Sequence, residues 1–468
     1  MTTEPGIILR RASDFTFRRE NGRLYFVHAS GRRVRTDRLG EIIWEALPAE
    51  SSELISVLKS AGGRDEQETK NLITDFVSVL GSAGIVEKTN SAAVFVQKRN
   101  VENESAAAGG ELVSVVVITH NGAAHVRDCF ESLTAQSYRN IEIIAIDNGS
   151  TDGTPDLIRK EYPQVDVLSL PRNLHFARGV NRGLRRSKGR FIFVLNQDVE
   201  VAPDGVAVLA GQLEREAGPR AGAVVPLMKF FQLRGFVNGL GNQIRSRGWG
   251  SDNFIGFVDV GQFDGLREVP SACFGAVMLD REAIDDVGLL DEGYSAFYED
   301  ADWSFRCRLK GRPIVSEPRA VVYHKFGASY PRAGKLRLAA RNRLRLVLKL
   351  FHGRALLVFL RNYLREDAKN ALSLFLRGKW GSAAAYGAAY LSLALQAPGI
   401  LVLRKRLARS RRGEMSANDI LAMNPLLFSA LDENNDPVID AAIVAGYYRR
   451  VMAGVAPADF SSESGSLV

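Results

Sequence analysis

The sequence predicts an α/β protein centred on a doubly wound, mostly parallel sheet. A small α+β unit precedes the sheet, and a basic amphipathic helical region follows it. Three observations predict this. From Leu112 onward, continuous apolar runs alternate with helical patterns, as buried parallel strands and their covering helices require. Residues 1–95 instead show a hairpin followed by helices. Residues 331–412 hold nineteen Lys and Arg against two acids, Glu366 and Asp367, interleaved with apolar runs such as "LRLVLKLF".

In order along the chain, "RLYFVHASGRRVRTD" alternates around an Ala-Ser-Gly turn and predicts a hairpin. "DRLGEIIWEAL" opens on an acid and carries Ile42, Ile43 and Leu47 at helical spacing. Further helices are expected over 51–60 and 65–83, then a closing strand in "GIVEKT". Residues 96–111 are polar, small and Gly-tailed, which marks a linker. Strands then follow in "LVSVVVITHN", "IEIIAID", "VDVLSL" and "RFIFVLN", separated by helices over 123–135, 154–161 and 176–187. The expected units are therefore 1–95, the linker, 112–330, the basic block 331–412 and a helical tail over 413–468 that ends in disorder.

Composition narrows the class. A chain of 468 residues, 46% apolar and 24% charged, is long enough for two or three globular domains. Cys129, Cys273 and Cys307 are odd in number and far apart, so they form neither a disulfide framework nor a CxxC metal site, and a reducing cytosol is expected. "MTTEPGIILRRASDF" lacks the apolar core of a signal peptide. The net charge of +8 is concentrated in the basic block, whose Leu, Phe and Val content suits an anionic membrane surface and argues against nucleic acid. Ala383–Leu403 has about the length of a membrane span. Gln396, Pro398-Gly399 and its Ala-rich first half instead predict an interfacial helix pair.

Ligands of such sheets bind beyond the C-terminal ends of the strands. Those ends carry Thr119, His120 and Asn121; then "DNGSTDGT", with Asp147 and Asp152; then Asn196, Gln197 and Asp198. Downstream, "SAFYEDADWSFRCRLKG" crowds Glu299, Asp300 and Asp302 between Tyr298 and Trp303. Acids before a helix and Arg306, Arg308 and Lys310 near its end suit the helix dipole. Asp302 and Arg306 are spaced to pair. Neither effect accounts for the aromatics around the acids.

Taken together, "VSVVVITHNGAAHVRDCFESLTAQSYRNIEIIAIDNGSTDGT", "PRNLHFARGVNRGLRRSKGRFIFVLNQD", "FYEDADWSFRCRLKG" and "VVYHKFG" resemble the GT-A glycosyltransferases of family 2, nearest the rhamnosyl- and galactofuranosyltransferase type, over roughly residues 112–330. The resemblance implies a Rossmann-like GT-A fold and inverting sugar transfer from a nucleotide-diphosphate donor. It implies donor contacts from Thr119, Asn121, Asp147, Asp152, Arg178, Asn181, Asn196 and Gln197. Asp198 and His324 would hold Mg2+ or Mn2+, Asn196 standing where the family's DxD motif has its first acid. Asp300 takes the place of the catalytic base, Glu299 orients the acceptor, and Tyr298 and Trp303 wall the acceptor site. The implied acceptor is a lipid-linked saccharide of cell-surface polysaccharide, handled on the inner face of the plasma membrane. The N-terminal unit resembles the PqqD-like winged-helix fold, which binds leader peptides, so a peptide acceptor is the alternative. A non-catalytic nucleotide-sugar or peptide-binding protein on the same fold is the second alternative.

Overall fold

The computed structural model describes residues 8–47, 49–50, 66–88, 110–215, 220–244, 250–263, 268–325, 332–410, 430–431 and 436–449. The helix expected over 51–60, most of the linker and much of the tail lie outside them. The N-terminal unit contains β1 (Ile8–Arg11), β2 (Phe15–Glu20), β3 (Arg23–His28), β4 (Arg33–Thr36), α1 (Arg38–Ala46), β5 (Ala49–Glu50), α2 (Glu66–Ser82) and β6 (Val86–Lys88). Asp37 caps α1 by accepting from the amides of Leu39 and Gly40. The predicted hairpin is β3–β4, and β2 adds a third strand.

The second unit alternates strand and helix, as its apolar runs predict. It contains β7 (Val113–Thr119), α3 (Val126–Thr134), β8 (Ile141–Asp147), α4 (Thr154–Glu161), β9 (Asp166–Ser169), α5 (Phe176–Arg186) and β10 (Phe191–Asn196). Then come β11 (Val199–Val201), α6 (Gly205–Arg215), β12 (Ala223–Phe230), β13 (Val237–Gly239), β14 (Asn242–Gln243) and β15 (Ser251–Asp252). The unit closes with β16 (Ala276–Asp280), α7 (Arg281–Val287), α8 (Glu299–Leu309) and β17 (Ile314–His324).

The main sheet runs β11-β17-β12-β16-β10-β7-β8-β9, with β13 beside β12. β16 is antiparallel to both neighbours and β11 is antiparallel to β17; the other neighbours on this path are parallel. All seven residues of β7 are buried because both faces of the sheet are covered. Val116, Ile118, Ile144 and Ile146 join one core, and Val113, Val115, Val117 and Ala145 join the other. This is the GT-A-like, mostly parallel arrangement. Its register brings Thr119 level with Asp147, and Asn196 level with Ile118 on the other side, so three strand ends share one edge.

The basic block departs from expectation. It forms three helices, α9 (Arg332–Leu350), α10 (Gly353–Leu376) and α11 (Trp380–Ser410). Much of the charge on α9 faces the protein. Arg343 pairs with Asp367, Arg345 with Asp291, and Lys349 with both Asp291 and Asp302. Arg343, Arg345 and Lys349 are all buried, so the first helix of the block braces the protein with these cations rather than offering them to a membrane. The interfacial helix pair expected around Pro398 is a single continuous helix, α11, with Pro398 inside it. By length and composition, Trp380–Arg409 is one helix apolar enough to cross a membrane, and 22% of its most apolar window is buried.

Part of the tail acts as a strap. Arg35 N donates to Pro437 O (2.7 Å) and Ile439 N donates to Arg35 O (2.8 Å), so Val438 forms a parallel bridge to Arg35 of β4. Arg449 pairs with Asp75, and Tyr448 Oη accepts from Val258 N (2.6 Å). Tyr447, Tyr448 and Ile439 thereby join a core shared by the N-terminal unit and the main sheet. A cavity of about 650 Å³ on the outer face of β2–β4 includes Arg18, Glu20, Arg33 and Asp436 in its lining. Within it, Arg33 is already paired with Glu20 and Asp436.

Candidate active site

The strand-end loops are built first from their own hydrogen bonds. Asp147 accepts from Thr119 Oγ1 (3.2 Å) and from Ser150 N (3.1 Å). Asp152 accepts from Ala123 N (3.0 Å) and Thr154 N (3.1 Å), tying the first loop to the start of α4. Burial pushes the Asp152 carboxyl upward, but the bonds from Thr154 and Ala123 outweigh it and hold the group below its ordinary value. Asn121, at a positive φ of 47°, accepts from Thr151 N (2.9 Å). Gln197 clamps His120, accepting from its N (2.9 Å) and donating to its O (3.1 Å). A Cβ on Gly122 would lie 2.0 Å from Gln197 Oε1, so a side chain there would push the Gln197 amide off His120.

These contacts revise several expected roles. Thr119 and Asp147 are buried under the loops and hold them through their own hydrogen bonds. Asn181 is also buried, its amide bonded to the backbone of Leu290 in both directions and to Glu292. Arg178 remains half-exposed beside Glu292 (3.1 Å). Asn121, Asp152, Asn196, Gln197 and Arg178 stay at the sheet edge.

Asp198 and His324 meet where β10 passes into β11 against the end of β17. Asp198 Oδ2 lies 3.4 Å from His324 Nε2. On its other side the ring places Nδ1 2.8 Å from Asn238 Oδ1, so the imidazole is held between Asn238 and Asp198. Burial raises Asp198, and the facing imidazole outweighs it, leaving the carboxyl below its ordinary value. A carboxylate oxygen and an imidazole nitrogen, on a ring whose other nitrogen is anchored by Asn238, match the donors of a divalent cation such as Mn2+. Among the described residues no group of three His, Cys, Asp or Glu forms a complete cage. Mg2+-type sites of this kind are completed by substrate phosphates.

The start of α8 lies in the same region. Ser295, Phe297 and Tyr298 all have positive φ, 67°, 66° and 71°. Non-glycine residues adopt such angles only when their surroundings hold them there. Here the holder is α9: Asn342 Nδ2 donates to the carbonyls of Tyr294 (2.8 Å), Ala296 (2.7 Å) and Phe297 (2.8 Å). Arg341 donates to those of Gly293 and Tyr294. The tight turn delivers the acids in sharply different settings. Asp302 is fully buried, paired with Arg306 (2.8 Å) and Lys349 (2.7 Å) and accepting from Tyr294 Oη (3.1 Å). Its structural role follows the i,i+4 spacing. Trp303 is a correction. It is fully buried, donates from Nε1 to Gly288 O (2.9 Å) and packs edge-on to Phe274, so it belongs to the core and not to an acceptor wall. Tyr298 stays half-exposed, its hydroxyl accepting from Gly250 N (3.0 Å).

Asp300 accepts from Ala301 N (2.7 Å) at Oδ1 and from Asn242 Nδ2 (2.8 Å) at Oδ2. Burial pushes its carboxyl up to about 6 despite these bonds. Burial, then the charge of Asp300, raises Glu299 well above the ordinary carboxyl range. Asp252 is also pushed up to about 6, by burial and by Asp300, and its carboxyl is acted on by His324 as well. Asp300 and His324 thus both lie within electrostatic range of Asp252. Burial, with Asp252 and Asp300, also holds the Cys273 thiol well above its ordinary value, so the thiol is protonated and no nucleophile.

Sequence reasoning missed Asn238, Asn242 and Asp252. The signal was present in "NGLGNQ" and "GWGSDNF", where Asn and Asp interrupt Gly and aromatic residues, but only pairing across β14–β15 shows which side chains share a face.

The model for "Glycosyl transferase family 2" matches residues 114–288. The chain carries a family 2 glycosyltransferase domain. The glycosyltransferase is 26% identical over 254 residues to an N-acetylglucosaminyl-diphospho-decaprenol L-rhamnosyltransferase of Mycobacterium tuberculosis, covering 50% of this chain and 82% of the relative. It is 32% identical over 109 residues to glycosyltransferase GlyG of Streptococcus pneumoniae, covering 23% of this chain and 36% of that one. Among solved structures, GalNAc-T7 with UDP, GalNAc and Mn2+ superposes with a TM-score of 0.48 at 18% identity, over 69% of this chain and 60% of that one. The matched segment contains the strand-end loops and the β14–β15 hairpin; α8, β17 and α9 complete the site beyond it.

Proposed function

We propose that this glycosyltransferase moves a sugar, with inversion, from a nucleoside-diphosphate donor to a hydroxyl of a lipid-linked saccharide at the cytoplasmic membrane face. The observation that carries the reading is Asp300, a carboxyl gripped through Asn242, with Asp252 in electrostatic range both of it and of the His324 that faces Asp198. In a single displacement the acceptor oxygen attacks the anomeric carbon. The bond from that carbon to the phosphate oxygen breaks, and its electron pair leaves with the diphosphate. The acceptor proton passes to Asp300, which must be ionised to receive it. Asp198 and His324 would hold a divalent cation, which when bound offsets negative charge on the leaving diphosphate. Arg178, half-exposed at the start of α5, adds a second positive group on the donor side. Attack and departure on opposite faces of one carbon give inversion.

A pH prediction follows. Asp300 is protonated below about 6, so kcat/KM for transfer is expected to rise as pH passes through about 6 and then level off. Stability runs the other way. Asp252 and Asp300 have folded values near 6, above the ordinary value of about 4 in an unfolded chain. Their stabilising contribution is therefore full below about pH 4 and lost as pH rises through about 6. A profile of kcat/KM flat from pH 5 to 8 contradicts the assignment.

The membrane part of the reading rests on α10 and α11. Leu364, Leu372, Phe375, Leu376, Trp380 and Leu395 are large apolar side chains left more than half exposed. Arg361, Arg365, Lys369, Arg377 and Lys379 punctuate the same stretch. Apolar anchors among cations suit anionic lipid, and the mycobacterial relative is named for a decaprenol-linked acceptor. Replacing Leu376, Trp380 and Leu395 by Ser is expected to weaken sedimentation with phosphatidylglycerol vesicles by at least about tenfold, since each buried apolar side chain is worth about 1.5–3 kcal/mol. Unchanged sedimentation contradicts it.

A further inference from the structure

Beside Asp300 lies a group of polar atoms that the catalytic steps leave unused. Asn242 and Asp252 are directly paired across the β14–β15 hairpin, so their side chains share a face. Asn242 spends its Nδ2 on Asp300, and its buried Oδ1 has no hydrogen-bond partner. Glu299, 5% exposed, has its Oε2 equally unmet. Buried polar atoms without partners are rare in folded proteins, and these two, one on the residue that grips Asp300 and one on its chain neighbour, are open to a ligand's hydrogen bonds.

The chemistry of the set is one-sided. The Asn242 oxygen accepts only. Asp252, once ionised, accepts and tolerates no further anion nearby, while Glu299, held protonated by its burial and by Asp300, exchanges a hydrogen bond with a hydroxyl. Such a lining asks for a ligand that brings O–H donors and no negative charge. A phosphate or a carboxylate is turned away, while a ring carrying adjacent free hydroxyls satisfies it. We infer that Asn242, Asp252 and Glu299 form the subsite for the acceptor's terminal sugar, selecting a neutral, hydroxyl-rich ring and rejecting uronates. The inference rests on Asp300 being the base, because the Asn242 amide bridges that carboxylate and the subsite. A ring whose attacking hydroxyl meets Asp300 sets its neighbouring hydroxyl at Asn242 Oδ1. Asn242 is thus both a positioning residue for the base and a contact for the acceptor.

The test uses the full-length enzyme with UDP and two probe sets: octyl glucoside, galactoside and mannoside, and the three matching octyl uronides. Binding is read by calorimetry, without turnover, for wild type, Asp252→Asn and Asn242→Ala, and thermal melts confirm that each variant is folded. Wild type is expected to bind at least one neutral glycoside at least about tenfold more tightly than its uronide, because like charges brought together without water cost several kcal/mol. Asp252→Asn, which keeps the shape and removes the charge, is expected to bring that ratio below about threefold. Asn242→Ala is expected to weaken the neutral glycosides about fivefold to tenfold, the effect of one lost hydrogen bond. A uronide preference in wild type, no binding of any glycoside, or an unchanged ratio in Asp252→Asn overturns the subsite. The expected binding pattern in an enzyme that consumes no nucleotide sugar supports the subsite and instead contradicts the transfer reading.

Discussion

Asp300→Asn is expected to lower kcat/KM for sugar transfer by about 10² to 10⁴, the usual weight of a general base, while leaving the thermal midpoint within a few degrees of wild type. Asparagine has nearly the same shape and can still accept at its oxygen from the Ala301 amide that now bonds Oδ1. It cannot take a proton from an alcohol. The loss should fall mainly on kcat, and the ascending limb near pH 6 should vanish with it. Retention of more than half of wild-type kcat/KM would remove Asp300 from the chemistry. A collapse of the fold would mean that the Asn242 bond is structural first. Circular dichroism alongside initial rates with a panel of nucleotide sugars separates these outcomes.

Two residues away the expectation reverses. Asp302→Ala is expected to destabilise the protein by about 3–5 kcal/mol, read as a lower urea midpoint with little change in slope. Asp302 is fully buried, and two cations depend on it: Arg306 from within α8 and Lys349 from α9. Removing the carboxylate leaves positive charge in the interior with its remaining partners only, Asp291 for Lys349 and the carbonyls of Val287 and Leu289 for Arg306. Tyr294 Oη also loses its acceptor. A change below about 1 kcal/mol, the range of surface pairs, would show that the network is more hydrated than its burial implies. Opposite outcomes for Asp300 and Asp302 would resolve the crowded "YEDADW" run into one catalytic and one structural carboxylate.

The sequence made the main sheet legible because buried parallel strands are written as unbroken apolar runs, and "LVSVVVIT", "IEIIAID" and "RFIFVLN" became β7, β8 and β10 within a residue or two. The polar strand ends were legible for the same reason: a hydrophilic group directly after such a run has one place to go. What was not legible was direction. Thr119, Asp147 and Asn181 are polar residues near the strand ends, and only coordinates show which groups satisfy them. Trp303 sat among acids in sequence, but its register on α8 points it at Phe274. The largest misreading was of charge. Composition counts cations without their partners, and Arg343, Arg345 and Lys349 find Asp367, Asp291 and Asp302 from distant parts of the chain. A segment that reads as membrane-seeking is, in its first helix, the brace of the turn that aims Asp300. The β14–β15 hairpin was invisible for the converse reason: two-residue strands leave no periodicity to detect.

The most direct test of the proposed transfer is a crystal structure of Asp300→Asn bound to an intact nucleoside-diphosphate sugar and Mn2+. The diphosphate is expected beside Asp198 and His324, with the anomeric carbon presenting to position 300 the face opposite its phosphate oxygen. A diphosphate seated away from Asp198, or an anomeric carbon whose open face is turned from position 300, would contradict the mechanism.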